Sequence, residues 1–330
     1  MKEAMFYKNI NGDVICLLCP RHCVIKEGKR GFCYNRENIN GKLYAVGYGK
    51  VCSLAIDPIE KKPLYHFYPG SKVLSLAIGG CNFRCLHCQN WTISQVPPDK
   101  TVYREMSPED VIEIALEYNL PGLSYTYTEP TVFYEFMYDC SILAKKYGLF
   151  NTMVTNGYIE KEPLKALPID AMNIDIKGNE RFYKEVCKAE LEPVLKTCVL
   201  AKKLNIWVEI TNLIIPGYND SEDDILFIIE FVRDKLGRET PLHFSRFHPD
   251  YKLTNVPPTP IETLIKAREL ALEEGLKYVY IGNVPGLGEN TYCPNCGALL
   301  IERSLFSVRF VNLEGDRCSV CGEKIDIITR

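Results

Sequence analysis

Between residues 72 and 284 the chain alternates short apolar runs with stretches whose apolar residues recur every three or four positions. Val73-Leu74-Ser75-Leu76-Ala77-Ile78, closed by Gly79 and Gly80, is such a run and predicts a buried strand. Further strands are expected at 122–127, 150–154, 171–176, 206–214, 242–247 and 277–281, with helices between them. Ser107-Pro108-Glu109-Asp110 supplies an N-cap, a proline at the first helical position and early acids; Val111, Ile114, Ala115 and Tyr118 then mark one apolar face. Ser221 opens another helix, with Ile225, Ile228, Ile229 and Val232 on one side, and Thr259-Pro260-Ile261-Glu262 reads as the capping box of a third. Alternating strand and helix predicts an α/β fold with a parallel sheet covered by helices. About 210 residues supply roughly six strand–helix units, where a closed eightfold barrel takes ~250 residues. A partial (β/α)6 barrel is therefore expected, with a doubly wound sheet as its rival. Both place functional side chains at the carboxyl ends of strands.

The flanks break this rhythm and divide the chain into three expected regions. Residues 1–71 hold a cysteine cluster and a Pro-punctuated linker, DPIEKKPLYHFYPG; residues 72–284 form the barrel; residues 285–330 hold two cysteine pairs. The 330 residues are 46% apolar and 25% charged with a net charge of −3, so no global field attracts nucleic acid or anionic lipid. No run approaches the ~18 apolar residues of a membrane span. The opening MKEAMFYKNINGD lacks the apolar core of a secretion signal, and a cytoplasmic location is expected.

Fifteen cysteines are the outlier. Eleven fall into three clusters, while Cys52, Cys140, Cys187 and Cys198 stand apart. Disulfide frameworks suit small secreted chains, so clustered thiols in a long chain point to metal. Only five histidines are present, and His22 and His87 lie inside clusters, so thiolate is the dominant ligand and zinc or iron–sulfur the expected metal. Cys81, Cys85 and Cys88 follow the first strand as C-x3-C-x2-C with no close fourth cysteine. A closed structural site takes four ligands, so three leave one metal position open for chemistry. Cys293, Cys296, Cys318 and Cys321 form two C-x2-C-G knuckles, with strand-like 299–301 and 306–311 between them. This predicts a zinc-ribbon or rubredoxin-like unit, stapled by zinc because so short a piece buries little core. Arg303, Arg309, Arg317 and Lys324 are offset by acids there, which argues against nucleic acid. Cys16, Cys19, Cys23 and Cys33 again close a site, for zinc or for a second, auxiliary [4Fe–4S] cluster.

The C-x3-C-x2-C loop after the first barrel strand resembles that of radical SAM enzymes. DPIEKKPLYHFYPGSKVLSLAIGGCNFRCLHCQNWTISQ, SYTYTEPTVFYE, VTNGYI, NIDIKG, LIIPGYND and ENTYCPNCG together resemble the radical SAM component of the AmmeMemoRadiSam system, akin to pyruvate formate-lyase activating enzymes. The resemblance spans nearly the whole chain. It implies a [4Fe–4S] cluster on Cys81, Cys85 and Cys88, and S-adenosylmethionine (SAM) chelating the fourth iron through its amino and carboxylate groups. One electron then cleaves the sulfonium to a 5′-deoxyadenosyl radical, which abstracts hydrogen from a substrate. His87 stands where an aromatic residue is common, and its flat ring is expected against adenine.

The same resemblance places Tyr127, Thr128 and Glu129 around the methionyl ammonium, with Glu129 as a helix N-terminal acid the blander reading. Thr155, Asn156, Asp175 and Lys177 are implied on the carboxylate side, and His248 at the ribose. Asn212 and Asn283, which lie near strand ends, are further candidate SAM contacts. Val154 stands where an activase has Asp, which puts a cation site there in doubt. Residues 57–66 either cover the barrel mouth or pack as a linker, with Tyr65 or His66 the substrate contacts in the first case. The implied partners are a low-potential electron donor of ferredoxin or flavodoxin type and, by family association, Memo-like and AMMECR-type proteins; oxygen sensitivity is expected. The substrate is either a small or modified molecule, which is favoured, or a protein glycine. The rival class is a non-catalytic zinc-ribbon module that binds RNA or protein, holds zinc in every site and binds no SAM.

Overall fold

The apolar run before Gly79 forms the strand Lys72–Ile78 in a computed structural model that describes residues 1–304 and 306–329. Six more strands follow it in order, each parallel to the last: Gly122–Tyr125, Phe150–Thr155, Ala171–Asp175, Trp207–Ile214, Leu242–Arg246 and Val279–Gly282. A helix-bearing crossover joins each pair, so there are six strand–helix units and a seventh strand. Lys50–Pro58 adds antiparallel to Lys72–Ile78, and Arg104–Glu105 to Lys50–Pro58, giving a nine-stranded mixed sheet. Its first and last strands do not pair with each other, so it stays open. The break expected at residue 71 falls between two paired strands of this sheet.

Local chemistry sets the helix ends. Ser107 and Asp110 exchange both bonds of a capping box, at 2.7 and 3.1 Å, and Pro108–Glu117 follows with Val111, Ile112 and Ala115 buried. Tyr118, expected on that face, is exposed, because the helix ends before it. Ser221 caps Glu222–Phe231 as expected. Thr259 does not cap. Its hydroxyl donates to Ile214 O (2.6 Å) and accepts from Phe247 N (2.9 Å), tying the ends of the fifth and sixth parallel strands, and the helix Ile261–Glu273 starts beyond Pro260.

The Pro-punctuated stretch threads the barrel interior instead of lying outside it. Asn173 Nδ2 donates to Pro63 O at 2.9 Å. The amides of Tyr65 and His66 donate to the two oxygens of Glu209, at 3.0 and 2.8 Å, and His243 Nε2 meets the same carboxyl at 2.7 Å. Burial raises Glu209, yet His243, His66 and the backbone donor outweigh it and hold the group below the usual carboxylate range. His66 is fully buried, which pushes it down to about 4, and its ring bonds Tyr280 OH at 2.5 Å. The tail reaches this plug too: Arg303 donates to Tyr65 O (2.8 Å) and to Thr291 Oγ1 (2.7 Å), and Phe67 pairs with Ile328.

Head and tail are small antiparallel units. Tyr7–Ile10, Asp13–Cys16 and Val24–Ile25 form one head sheet; Lys2–Glu3, Lys42–Ala45 and Arg36–Ile39 form another. Thr291–Tyr292, Leu299–Ser304 and Ser307–Phe310 form the tail sheet. Among the described residues no helix is long and apolar enough to cross a membrane.

Candidate active site

The carboxyl ends of the parallel strands surround a cavity of about 320 Å³. Gly80 leads into it with φ +106°, and a Cβ there would stand 2.4 Å from Cys33 O, so only glycine fits. Cys81, Cys85 and Cys88 all line the cavity. The loop carrying them is anchored from behind, where Arg84 N and Leu86 N donate to Cys187 O and Val186 O, each at 3.0 Å. Phe83 N donates to Cys81 Sγ (3.3 Å), Asn156 Nδ2 approaches the same sulfur (3.9 Å), and Ser94 Oγ lies 3.1 Å from Cys88 Sγ. The Cys187 thiol beside Cys85, together with burial, pushes Cys85 well above the ordinary thiol value. Cys187 is buried and does not line the cavity.

Glu129 is 1% exposed and binds the ends of the second and third parallel strands together. Its Oε1 accepts from Thr131 N (3.0 Å), Thr131 Oγ1 (2.7 Å) and Thr155 Oγ1 (2.7 Å); Oε2 accepts from Asn156 N alone (2.8 Å). It also caps the turn Pro130–Phe133, as its blander reading required. Burial still holds its pKa above the usual carboxylate value. Thr128 Oγ1 donates to Ile78 O (2.7 Å), locking the second strand end to the first. Lys177 Nζ meets Asp175 Oδ2 at 2.6 Å; Asp175 and the neighbouring thiols outweigh burial and raise it. His87 is buried with Nδ1 unpartnered, and burial with the nearby Lys177 pushes it down to about 3, so its imidazole is neutral.

Tyr127, Thr128, Glu129, Thr155, Asn156, Asp175, Lys177 and His87 thus share the cavity with the three thiols, and Asn283 stands at its rim. Asn212 does not join them. Thr211 and Leu213 face the cavity, and the alternation of a strand turns Asn212 away to bond Ile176 O at 2.8 Å. His248 is exposed outside it and meets Gln89, which does line it, at 2.8 Å. Tyr65 and His66 lie in the plug; Lys61, Lys62 and Pro63 of the same segment form the cavity wall. Sequence reasoning missed the cluster these make. Asp57 accepts from Lys61 (2.9 Å), Lys62 (2.7 Å) and Tyr127 OH, and Lys62 Nζ sits 4.4 Å from the Tyr127 ring centre. Burial outweighs Asp57 and pushes Lys62 down to about 8.

The outer cysteines behave differently from each other. In the tail, Cys293, Cys296, Cys318 and Cys321 place their sulfurs within 4.8 Å of one another, with Cys293–Cys321 at 3.6 Å and Cys296–Cys318 at 3.8 Å. The Glu323 backbone and Asn295 donate to Cys321 and pull it down to about 6. In the head, Cys16, Cys19, Cys23 and Cys33 line a separate pocket with Arg36.

The family model of the radical SAM superfamily matches residues 76–232, which hold the cysteine loop and the first five parallel strands. That stretch is a radical SAM domain. The whole chain is 76% identical over 332 residues to an uncharacterized protein of Methanocaldococcus jannaschii, covering 99% of this chain and all of that one. It is 24% identical over 230 residues to the pyruvate formate-lyase 1-activating enzyme of Escherichia coli K12, covering 64% of this chain and 93% of the enzyme. A putative glycyl-radical enzyme activating enzyme of M. jannaschii is 25% identical over 221 residues, covering 65% and 80%. Among solved structures, Streptococcus suis SuiB bound to S-adenosylmethionine shares the fold at a TM-score of 0.50 and 11% identity, over 69% of this chain and 53% of that one.

Proposed function

We propose that this protein is an enzyme that holds a [4Fe–4S] cluster on Cys81, Cys85 and Cys88 and cleaves SAM reductively. One observation carries the reading: three thiols converge on one cavity, and among the described residues no fourth cysteine lines it. A four-iron cluster on that loop keeps one iron free of protein. Together with one electron from a ferredoxin- or flavodoxin-type donor, cluster and SAM supply a 5′-deoxyadenosyl radical that takes hydrogen from a substrate.

The residues fit such an occupant. Phe83 N and Asn156 contact the Cys81 sulfur and Ser94 the Cys88 sulfur. Glu129 is a buried carboxylate with neutral donors only, and its less occupied Oε2 suits the methionyl ammonium. Lys177, braced by Asp175, suits the SAM carboxylate. His87 offers a neutral ring and one unused nitrogen to the adenine.

The substrate is a small or modified molecule, a reading supported by the two ammonium groups of Lys61 and Lys62 in the cavity wall. Likeness to the pyruvate formate-lyase 1-activating enzyme favours a second reading, hydrogen abstraction from a protein glycine. The quoted strings support membership of the AmmeMemoRadiSam system and association with Memo-like and AMMECR-type proteins. Zinc in the tail is supported by its sulfur spacing, since four bonds of ~2.3 Å in a tetrahedron set sulfurs about 3.8 Å apart.

The test is anaerobic purification with iron, sulfide and zinc analysis, then incubation with SAM and dithionite. Formation of 5′-deoxyadenosine that stops in Cys88→Ala is expected. Intact SAM beside a fully loaded cluster overturns the reading.

A further inference from the structure

We infer that the head cysteines Cys16, Cys19, Cys23 and Cys33 hold a second [4Fe–4S] cluster and not zinc. Sulfur spacing separates the two metals. A single zinc draws four sulfurs to about 3.8 Å from one another. A four-iron cube spreads them wider, because each thiolate bonds a different iron. The tail and the central loop, read above as a zinc site and a cluster site, offer the comparison. The tail thiols all lie within 4.8 Å of one another. Among the described residues, no three thiols of the head come that close, and neither do the three of the central loop. Head and central loop thus both lack the tail's tight spacing, and the head has four thiols around its pocket, enough to ligate every iron.

A second observation points into the same pocket. Arg36 lines it and is 2% exposed. Its Nη1 donates to Glu135 Oε1 at 2.7 Å, while Nε and Nη2 have no partner. Two buried N–H donors without acceptors are costly unless something absent accepts from them. An iron–sulfur cube supplies thiolate and sulfide acceptors together, and its ligated form carries the negative charge that a buried guanidinium balances. With four thiolates the cluster has no open iron, so it neither binds nor cleaves SAM. The spacing comparison rests on the cluster proposed for the central loop and the zinc proposed for the tail, whereas the Arg36 observation rests on neither.

The test uses the full chain, reconstituted anaerobically with iron and sulfide. The variant Cys81→Ala/Cys85→Ala/Cys88→Ala is expected to keep about four irons and four sulfides, with the broad visible absorption of a cluster and a low-spin signal on reduction. Iron-free protein with two zincs overturns the inference. Should that variant fail to fold, Cys19→Ala/Cys23→Ala with the central loop intact decides. Iron is expected to fall by about four per chain with zinc unchanged; unchanged iron with the loss of one zinc overturns it. If the central loop itself holds no iron, the wild type carries about four, lost in the head variant and kept in the triple variant.

Discussion

Replacing Glu129 by Gln tests whether this carboxylate receives the ammonium of SAM or only splices two strand ends. Gln keeps an oxygen where Oε1 accepts from Thr131 N, Thr131 Oγ1 and Thr155 Oγ1, so the splice largely survives. Its amide nitrogen takes the place of Oε2 and meets Asn156 N–H donor to donor, which costs about 1–3 kcal/mol of local stability. The charge is lost as well. A hydrogen bond to a charged group contributes about 1.5–3 kcal/mol, so SAM is expected to bind about 10- to 150-fold more weakly. The assay is equilibrium dialysis of SAM against anaerobic, iron-loaded protein, with affinity expressed per loaded chain and iron measured in parallel. Glu129→Gln protein with full iron and wild-type affinity for SAM refutes the assignment and leaves Glu129 a structural splice.

Three further outcomes follow from other parts of the molecule. Glu209→Ala strips the acceptor from Tyr65 N, His66 N and His243, three buried donors at about 1 kcal/mol or more each, and from the part-buried Trp207 Nε1; hydrogen exchange at 63–68 and 299–304 should accelerate by at least tenfold, and unchanged protection contradicts the plug. Lys62 titrates near 8 when folded against 10.5 for the free side chain, so between those values the unfolded chain holds more protons and stability rises with pH; wild type should gain on Lys62→Met from pH 8 to pH 10 in denaturant midpoint, and a loss contradicts the burial argument. Chelation of the tail metal should release about one zinc and expose Leu299–Ser304 to exchange while leaving iron in place; iron leaving in step with zinc contradicts separate sites.

The parts of this fold that sequence revealed are those whose cause is local. The parallel strands are buried on both faces and so read as unbroken apolar runs, and Ser107 and Ser221 cap helices through donors three residues away. The thiol loop declared itself by spacing alone. What stayed hidden depends on partners far along the chain. Glu209 meets Tyr65 across 144 positions, and nothing near residue 65 announces an acceptor. Polar residues 57–66 therefore read as a linker, although Lys62 is buried in the cavity wall and Asp57 is buried behind it as its partner. Asn212 illustrates a finer limit. The strand end is legible in the sequence, but one residue of register decides which side chain faces the site, and it is Thr211. The hydroxyl of Thr259 had a locally sufficient explanation as a cap and a tertiary bond that overrode it.

An open barrel of seven parallel strands leaves its interior unfilled, and the flanking segments fill it. Asn173, Thr211, Glu209 and His243 line the interior with polar groups that need partners, so the filler must carry backbone and rings that answer them. Residues 63–66 do this, and the tail then clamps the filler through Arg303 on Tyr65 O. The clamp has a consequence for the site. Lys62 is one residue from Pro63, whose carbonyl is held by Asn173, so the position of its ammonium beside Asp57 and Tyr127 depends on a segment the tail secures. On the other flank, Cys33 O rests against Gly80, directly before the first central thiol. Both flanks therefore bear on the cavity, one through its cation wall and one through its thiol loop. The segments that carry the outer cysteine clusters accordingly brace the central cavity as well as their own small sheets.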